Sequence, residues 1–376
     1  MPETGPWAIL WTAPAILASS LMIAWAAESA QFFIAQGFAL AILAWLQTLP
    51  EFAIEAVLAW KQQVPLLMAG LTGALRLLTG FGWPVIYFTA AVANRRRGNG
   101  PLKAIRLRDH HSVEVIGLIA PLLYAAVILA KRSVTVLDAG LLIAIYLVYL
   151  GVLSRLPSED PESIDELEAV PRAIVTAPRG KRVAAIATLF LAGGALIYFS
   201  AEPFLGSLLA ISTVLGVPAF IFIQWIAPVV SEFPEMASTI YFARTVERAP
   251  MALMNVVSSN INQWTLLVAM LPIVYSLSAG RPMPLTLDPE QFTQLLLTLA
   301  QAVLGVIFMI NMELAWWEAA VLLVLFAVPF FSPILAVPVT IAYFVWAGVE
   351  IVRMLFGLRE PTALIKFAAV WREHVR

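Results

Sequence analysis

The chain has 376 residues, 61% of them apolar and 12% charged, with 23 Lys/Arg against 24 Asp/Glu and no Cys. A soluble domain carries about 25% charged residues, so this chain cannot cover its surface in water, and lipid is the solvent for most of it. Soluble enzymes and disordered chains are excluded. So are nucleic-acid binders, because a formal net charge of −1 offers no electrostatic footprint, and the missing cysteines remove disulfides, thiolate metal sites and thiol nucleophiles.

From the N-terminus to Leu21 the only charge is Glu3. A cleaved signal peptide would have a basic n-region there. The first apolar run, about 7–27, is long enough to span. Further runs follow at about 32–60, 64–91, 113–131, 134–153, 183–201, 207–243, 250–277, 291–312, 314–330 and 333–356. The expected class is an all-α integral membrane protein with about eleven transmembrane helices. The second and seventh runs are long. At about 1.5 Å per residue, roughly 29 residues reach about 43 Å, more than the ~30 Å hydrocarbon core. Both contain polar residues and a mid-span Pro, so they read as kinked or broken helices. The junction of the last two runs is crowded by Pro329, Pro333 and Pro338.

Between the fifth and sixth runs lies a polar stretch, 154–182. It is acidic first (Glu159, Asp160, Glu162, Asp165, Glu166, Glu168) and basic later. A solvated linker between halves explains it most simply, and a regulatory ion-binding loop is the alternative. With the N-terminus outside, eighteen Lys/Arg fall in inside loops and the C-terminal tail, against four outside. That fits the positive-inside rule. The one basic residue left over, Arg76, lies within the third run. The expected location is the plasma membrane, here a prokaryotic inner membrane, multi-pass, with the N-terminus outside and the C-terminus cytoplasmic. The expected divisions are 1–153, a first five-helix half; 154–182, a cytoplasmic linker; 183–330, a second half; and 331–376, an additional helix and tail.

The second and seventh runs resemble each other. In one, Gln47-Thr48-Leu49-Pro50-Glu51 precedes an apolar continuation; in the other, Ser231-Glu232-Phe233-Pro234-Glu235 does. Pro65 and Pro250 follow at similar distances and open the next runs. An odd number of crossings separates the motifs, so they run in opposite directions. Inverted repeats with helices broken near the midplane mark secondary transporters. Pro removes a backbone donor and frees carbonyls to face a cavity, and a Glu beside the break can ligate a cation with them.

An ionised group at the bilayer centre costs at least about 2.5–3.5 kcal/mol on insertion scales. The deep acids Glu51, Glu55, Glu232 and Glu235 therefore need a partner or a pathway. For Glu51 and Glu235 the alternative is a protonated carboxyl bonding a neighbouring helix, and their recurrence in matched motifs argues against it. Glu55 lies one turn past Glu51; it either joins the site, lines a vestibule or bonds a helix. The eighth run supplies Asn255, Ser258, Ser259, Asn260, Asn262, Gln263 and Thr265, too many polar groups for a lipid-facing helix, though such residues also serve as helix–helix glue. Ser259 and Gln263 share a face. Aligning Pro65 with Pro250 sets Ala74 opposite Ser259 and Leu78 opposite Gln263, so the third run lacks these groups and carries Arg76 instead. Arg76 is expected to pair with Glu51, Glu55 or Glu232, either as a structural ion pair or as a charge standing where a second cation would sit.

At these residues the sequence resembles the calcium/cation antiporter superfamily, which includes sodium/calcium and proton/calcium exchangers. Gln47–Glu51 and Ser231–Glu235 look like its first repeat motif, and Ser258-Ser259-Asn260-Ile261-Asn262-Gln263 like its second. The resemblance implies two inverted five-helix repeats plus an extra C-terminal helix. It implies Glu51 and Glu235 as the central metal-coordinating pair, with Thr48, Ser231, Ser259 and Gln263 as further cation ligands; the reading of the deep polar residues adds Glu232 as a ligand, with Gln47, Glu55, Asn255, Asn260 and Asn262 behind them. These are oxygen donors of the kind a hard cation takes. Three departures point to fewer exchangeable ions and toward protons. The Gly before each motif is missing, Glu232 stands where Ser is usual, and Arg76 is present.

The expected function is secondary-active antiport, Ca2+ against H+ or Na+, by alternating access, with no cofactor and with the lipid bilayer and inorganic cations as its only indicated partners. Alternatives are Na+/H+ exchange, or a non-transporting membrane scaffold or sensor whose site Arg76 neutralises. An intramembrane protease is disfavoured, since none of the five Asp lies at mid-span and His110, His111 and His374 sit in polar stretches.

Overall fold

The computed structural model describes residues 4–30, 32–33, 48–156 and 167–375. Gln47, most of the first half of the second apolar run and the acids between 159 and 166 lie outside the described residues.

The first half comprises α1 (Ile9–Ala30), α2 (Leu49–Trp60), α3 (Val64–Arg96), α4 (Asp109–Lys131) and α5 (Val136–Leu153). A short α6 (Ala169–Thr176) lies within the expected linker. The second half comprises α7 (Arg179–Leu215), α8 (Ala219–Ser231), α9 (Phe233–Ala243), α10 (Ala249–Ala279), α11 (Pro289–Met309) and α12 (Trp316–Phe331). The chain continues into α13 (Ala336–Leu355) and a terminal α14 (Thr362–Val370). Among the described residues, eight helices are long and apolar enough to cross a membrane, and α8 and α12 are shorter apolar helices.

One expected boundary moves. The runs 183–201 and 207–243 divide at Gly216, not near 202–206: α7 continues through Pro203 to Leu215. Glu202 reads as a boundary charge in the sequence, but it is paired with Lys61, which follows α2. An interior Pro costs a helix a hydrogen bond. Here Ser200, Ala201, Phe204 and Leu205 around it are buried, in a helix that packs along α1. The real stop is Gly216, in the left-handed region at φ 66°, followed by Pro218.

The seventh run is broken as expected. α8 ends at Ser231 and α9 begins at Phe233, with Glu232 capping both. Thr48 caps α2 with nearly the same backbone, φ −88° and ψ 0° against −87° and −8° at Glu232. Pro50 and Pro234 fall in the first turn of their helices, where the missing N–H costs nothing.

The halves interlock through two short antiparallel ladders. β1 (Ala104–Arg106) pairs with β4 (Glu313–Ala315), and β2 (Ser133–Val134) with β3 (Leu285–Thr286). Each joins a loop of one half to a loop of the other, so paired loops share a membrane face. Counting α8 and α9 as one crossing, an even number of crossings separates the members of each pair, as this requires. The residues entering β2 and β4, Arg132 and Met312, are both left-handed, with φ of 53° and 63°. α14 returns to the β1–β4 face, where the Ala363 N–H donates to the Ile310 carbonyl (2.8 Å) and Lys366 meets Asp109 (2.7 Å). Arg359, beside it, is buried and bridges Glu318 (2.6 Å) and Glu350 (3.0 Å), tying the starts and ends of α12 and α13 together.

α3 and α10 share one more device. Each begins with fourteen α-helical residues, then a π-helical segment, Leu78–Gly82 and Gln263–Leu267. π segments open the helical hydrogen-bond ladder and occur often at functional sites. The matched pair puts Leu78 and Gln263 at equivalent positions.

Candidate cation site

Two helix beginnings and the middle of α10 meet in the protein interior. Glu51 and Glu235 each lie in the first turn, of α2 and α9 respectively, and are 4% and 8% exposed. Helix N-termini carry partial positive charge, so α2 and α9 each aim a favourable end at their carboxylate. Glu232, the cap of α9, is also buried. Its carboxyl neighbours those of Glu51 and Glu235, and it shares the Gln263 amide with Glu51. The three acids thus form a chain, Glu51–Glu232–Glu235, across the two halves.

α10 supplies the donors. Gln263 Nε2 donates to Glu51 Oε2 and to Glu232 Oε1, both at 2.8 Å. The Ser259 hydroxyl donates to Glu235 Oε1. Asn262 Nδ2 donates to Thr48 Oγ1 at 2.7 Å, so Thr48 joins the cluster through α10. Gln263 Oε1 is buried without a hydrogen-bond partner, leaving one amide oxygen over for a further positive group.

The remaining expected residues stand further out. Ser231 is buried, but its hydroxyl donates back to the Ala227 carbonyl (3.2 Å) rather than to an acid. Asn260 faces the other way, donating to the Val256 carbonyl (3.0 Å) and accepting from Thr79 Oγ1 (3.1 Å). Asn255 is only half-buried. Glu55 is buried between α2 and Gly70 of α3 and makes no hydrogen bond among the described residues that joins it to the chain of acids. Gln47 lies outside the described residues.

Arg76 corrects an expectation. It pairs with none of Glu51, Glu55 and Glu232. Its Nε donates to the Thr72 carbonyl one turn back (3.2 Å), and its guanidinium lies 5.0 Å from the centre of the Trp225 ring on α8. Its own carbonyl accepts from Gln301 Nε2 (2.9 Å), and Gln301 accepts from the Tyr343 hydroxyl (3.2 Å) on α13. A desolvated cation–π contact contributes about 2 kcal/mol; it and the Thr72 bond hold the guanidinium, whose Nη2 is buried without a hydrogen-bond partner. Charge in the sequence suggests an ion pair, but helix neighbours decide the partner. The scaffold reading, in which Arg76 neutralises the site, loses its basis.

Glu51 Oε2 accepts from Gln263 and Glu235 Oε1 from Ser259, while Glu51 Oε1 is buried without a hydrogen-bond partner. Among the described residues, no group of three His, Asp or Glu is disposed as a metal cage. Sequence reasoning passed over Thr79, Tyr149 and Gln224. Tyr149 shares a hydrogen bond with Ser258 (3.2 Å), and Gln224 donates to Thr72 Oγ1 and Gln294 Oε1, both at 3.2 Å. Isolated polar residues inside apolar runs were the available signal.

The model of the sodium/calcium exchanger protein family matches residues 6–155 and 185–335. The chain belongs to the sodium/calcium exchanger family. As a member of that family it is a multi-pass membrane transporter with a two-repeat architecture, and not an enzyme. A solved structure, the crystal structure of H+/Ca2+ exchanger CAX, is 32% identical, with a TM-score of 0.88 over 97% of this chain and 91% of that one. The sodium-calcium exchanger NCX_Mj, soaked with 10 mM Na+ and zero Ca2+, is 17% identical, with a TM-score of 0.57 over 88% of this chain and 99% of that one. At that identity it shows the fold alone. No curated protein matches the chain.

Proposed function

We propose that this family member exchanges Ca2+ for H+ by alternating access at the chain Glu51–Glu232–Glu235. The observation that carries the reading is the convergence of three buried acids from both halves, two of them on the one Gln263 amide at 2.8 Å. Like charges this close cannot all stay ionised without a cation among them. With two protons bound, the three acids carry one net negative charge. A divalent cation that displaces both protons leaves the same net charge. The two loaded forms then face a similar electrostatic cost of crossing a low-dielectric interior, which suits a one-for-two swap.

The ligand supply agrees. Ca2+ takes six to eight oxygens. Both central carboxylates, Glu232, Thr48, Ser259 and the Gln263 amide oxygen offer them once the protons leave. Sodium coupling is the weaker reading, because several Na+ ions need a second set of ligands, and α3 offers Ala74, Leu75, Leu77 and Leu78 at the positions where α10 has Ser259, Asn260, Asn262 and Gln263. The likeness to an H+/Ca2+ exchanger supports protons as well.

The rest of the reading follows from the halves. Residues 1–153 and 183–330 form the two inverted units, 154–182 links them, and 331–376 is an addition. The basic β1–β4 face is cytoplasmic, and the membrane is the plasma membrane. Binding coupled to inward and outward states carries the exchange, as any ligand-driven shift must. No cofactor is required.

The test is 45Ca2+ uptake into proteoliposomes under an imposed pH gradient or an imposed Na+ gradient, for wild type and Glu235→Gln. Uptake driven by the pH gradient and lost in the variant is the expected outcome. Uptake driven only by Na+ would replace the coupling ion, and no uptake under either gradient would remove Ca2+ from the reading.

A further inference from the structure

Glu55 is the one deep acid outside the carboxyl chain. It lies one turn past Glu51 on α2 and is 2% exposed. Its Oε2 is buried with no hydrogen-bond partner. Its Oε1 presses on Gly70 of α3 so closely that a Cβ built there would overlap it. Any residue but glycine at position 70 would have to displace the carboxyl, so the two positions are fitted to each other.

The chain on either side of this contact is apolar: Ile54, Leu58 and Ala59 beside Glu55 on α2, and Ala69 and Leu71 flanking Gly70 on α3, are all buried. The nearest hydroxyl along α3, that of Thr72, already donates to the Met68 carbonyl and accepts from Gln224. A hard metal cation needs several oxygens at once, whereas a proton needs one. Of the ionisable groups on the packed elements, Glu51 on α2 is near enough for its charge to act on Glu55 but accepts from Gln263, Arg76 on α3 lies on Trp225, Glu202 on α7 pairs with Lys61, and Glu28 on α1 has a partner of its own. Tyr275 on α10 is buried, and α8 carries no charged residue within its bounds.

We propose that Glu55, seated in the Gly70 cradle, is a proton-only site of the transport cycle, separate from the cation ligands. It rests on the exchange reading above and deepens it by naming a residue that couples transport to H+ and cannot serve Na+ or Ca2+. The chemistry is one O–H bond made and broken on the Glu55 carboxyl. The proton comes from, and returns to, water, and no other bond changes.

Purified wild type, Glu55→Gln and Gly70→Ala are compared in detergent, each first checked for a single size-exclusion peak. Infrared difference spectra on acidification read protonated carboxyl groups directly, with and without Ca2+. Protons released per Ca2+ bound are counted with a pH dye. The expected result is a carboxyl band that persists in Ca2+, is missing in Glu55→Gln, and shifts its midpoint in Gly70→Ala, where the carboxyl remains but is displaced. Ca2+ affinity in Glu55→Gln stays at the wild-type value, while the pH dependence of uptake changes. Loss of Ca2+ binding in Glu55→Gln would make Glu55 a ligand and overturn the proposal. An unchanged infrared spectrum and unchanged pH profile would make it a packing residue and overturn it equally. If wild type binds no Ca2+, the exchange reading fails, but the acidification spectra alone still decide whether Glu55 takes a proton.

Discussion

α3 and α10 have the same backbone plan and opposite interiors. Each opens with a Pro in its first turn, runs fourteen residues, and enters a π-helical segment at the same point. Yet α10 presents Ser259, Asn260, Asn262 and Gln263 where α3 presents Ala74, Leu75, Leu77 and Leu78, and Ile261 stands opposite Arg76. Backbone symmetry has been kept while ligand symmetry has been lost. One helix therefore serves both halves: Gln263 holds Glu51 of the first and Glu232 of the second, and Asn262 holds Thr48 of the first. The halves build one composite site instead of two.

Glu235→Gln should break the comparison most severely, because it removes an acid from the composite chain itself. Cation affinity is expected to fall by at least about 100-fold, beyond the usual cost of losing an outer-shell partner, read by calorimetric titration of Ca2+. Gln263→Leu gives α10 the residue that α3 already has. A loss of about 10–100-fold is expected; wild-type affinity would mean the amide merely fills space. The converse change, Leu78→Gln, tests whether α3 could share the work. It should leave affinity alone and destabilise by about 1–3 kcal/mol, the cost of a buried polar group without a partner, measured by thermal unfolding in detergent. Arg76→Met should do least. It keeps much of the packing against Trp225 and is expected to change stability by no more than about 2 kcal/mol with Ca2+ affinity unchanged. A tenfold change in affinity there would return Arg76 to the site.

Much of this molecule is written in local pattern. Lipid demands long apolar runs with internally satisfied backbones, so the spans stand out in the sequence, with one boundary displaced because Glu202 is bound by Lys61 instead of marking a loop. The Pro-Glu pairs marked the starts of α2 and α9, since Pro acts on its own turn and needs no neighbour. The acids and the polar face of α10 were legible for the same reason: a polar group inside an apolar run is costly and so conspicuous.

Partnership was not written locally. A guanidinium in the interior reads as half of an ion pair until the fold sets Trp225 beside it. Ser231 reads as a ligand until its hydroxyl turns back to its own helix. The meaning of Gly70 depends wholly on α2 bringing Glu55 against it. By itself the sequence determined the solvent, the repeats and the cast of deep acids, because these follow from single helices in lipid. Only the tertiary structure decided which acids meet on the Gln263 amide, which one is seated against Gly70, and that one helix completes both halves, because those depend on side chains far apart in the chain meeting across helix interfaces.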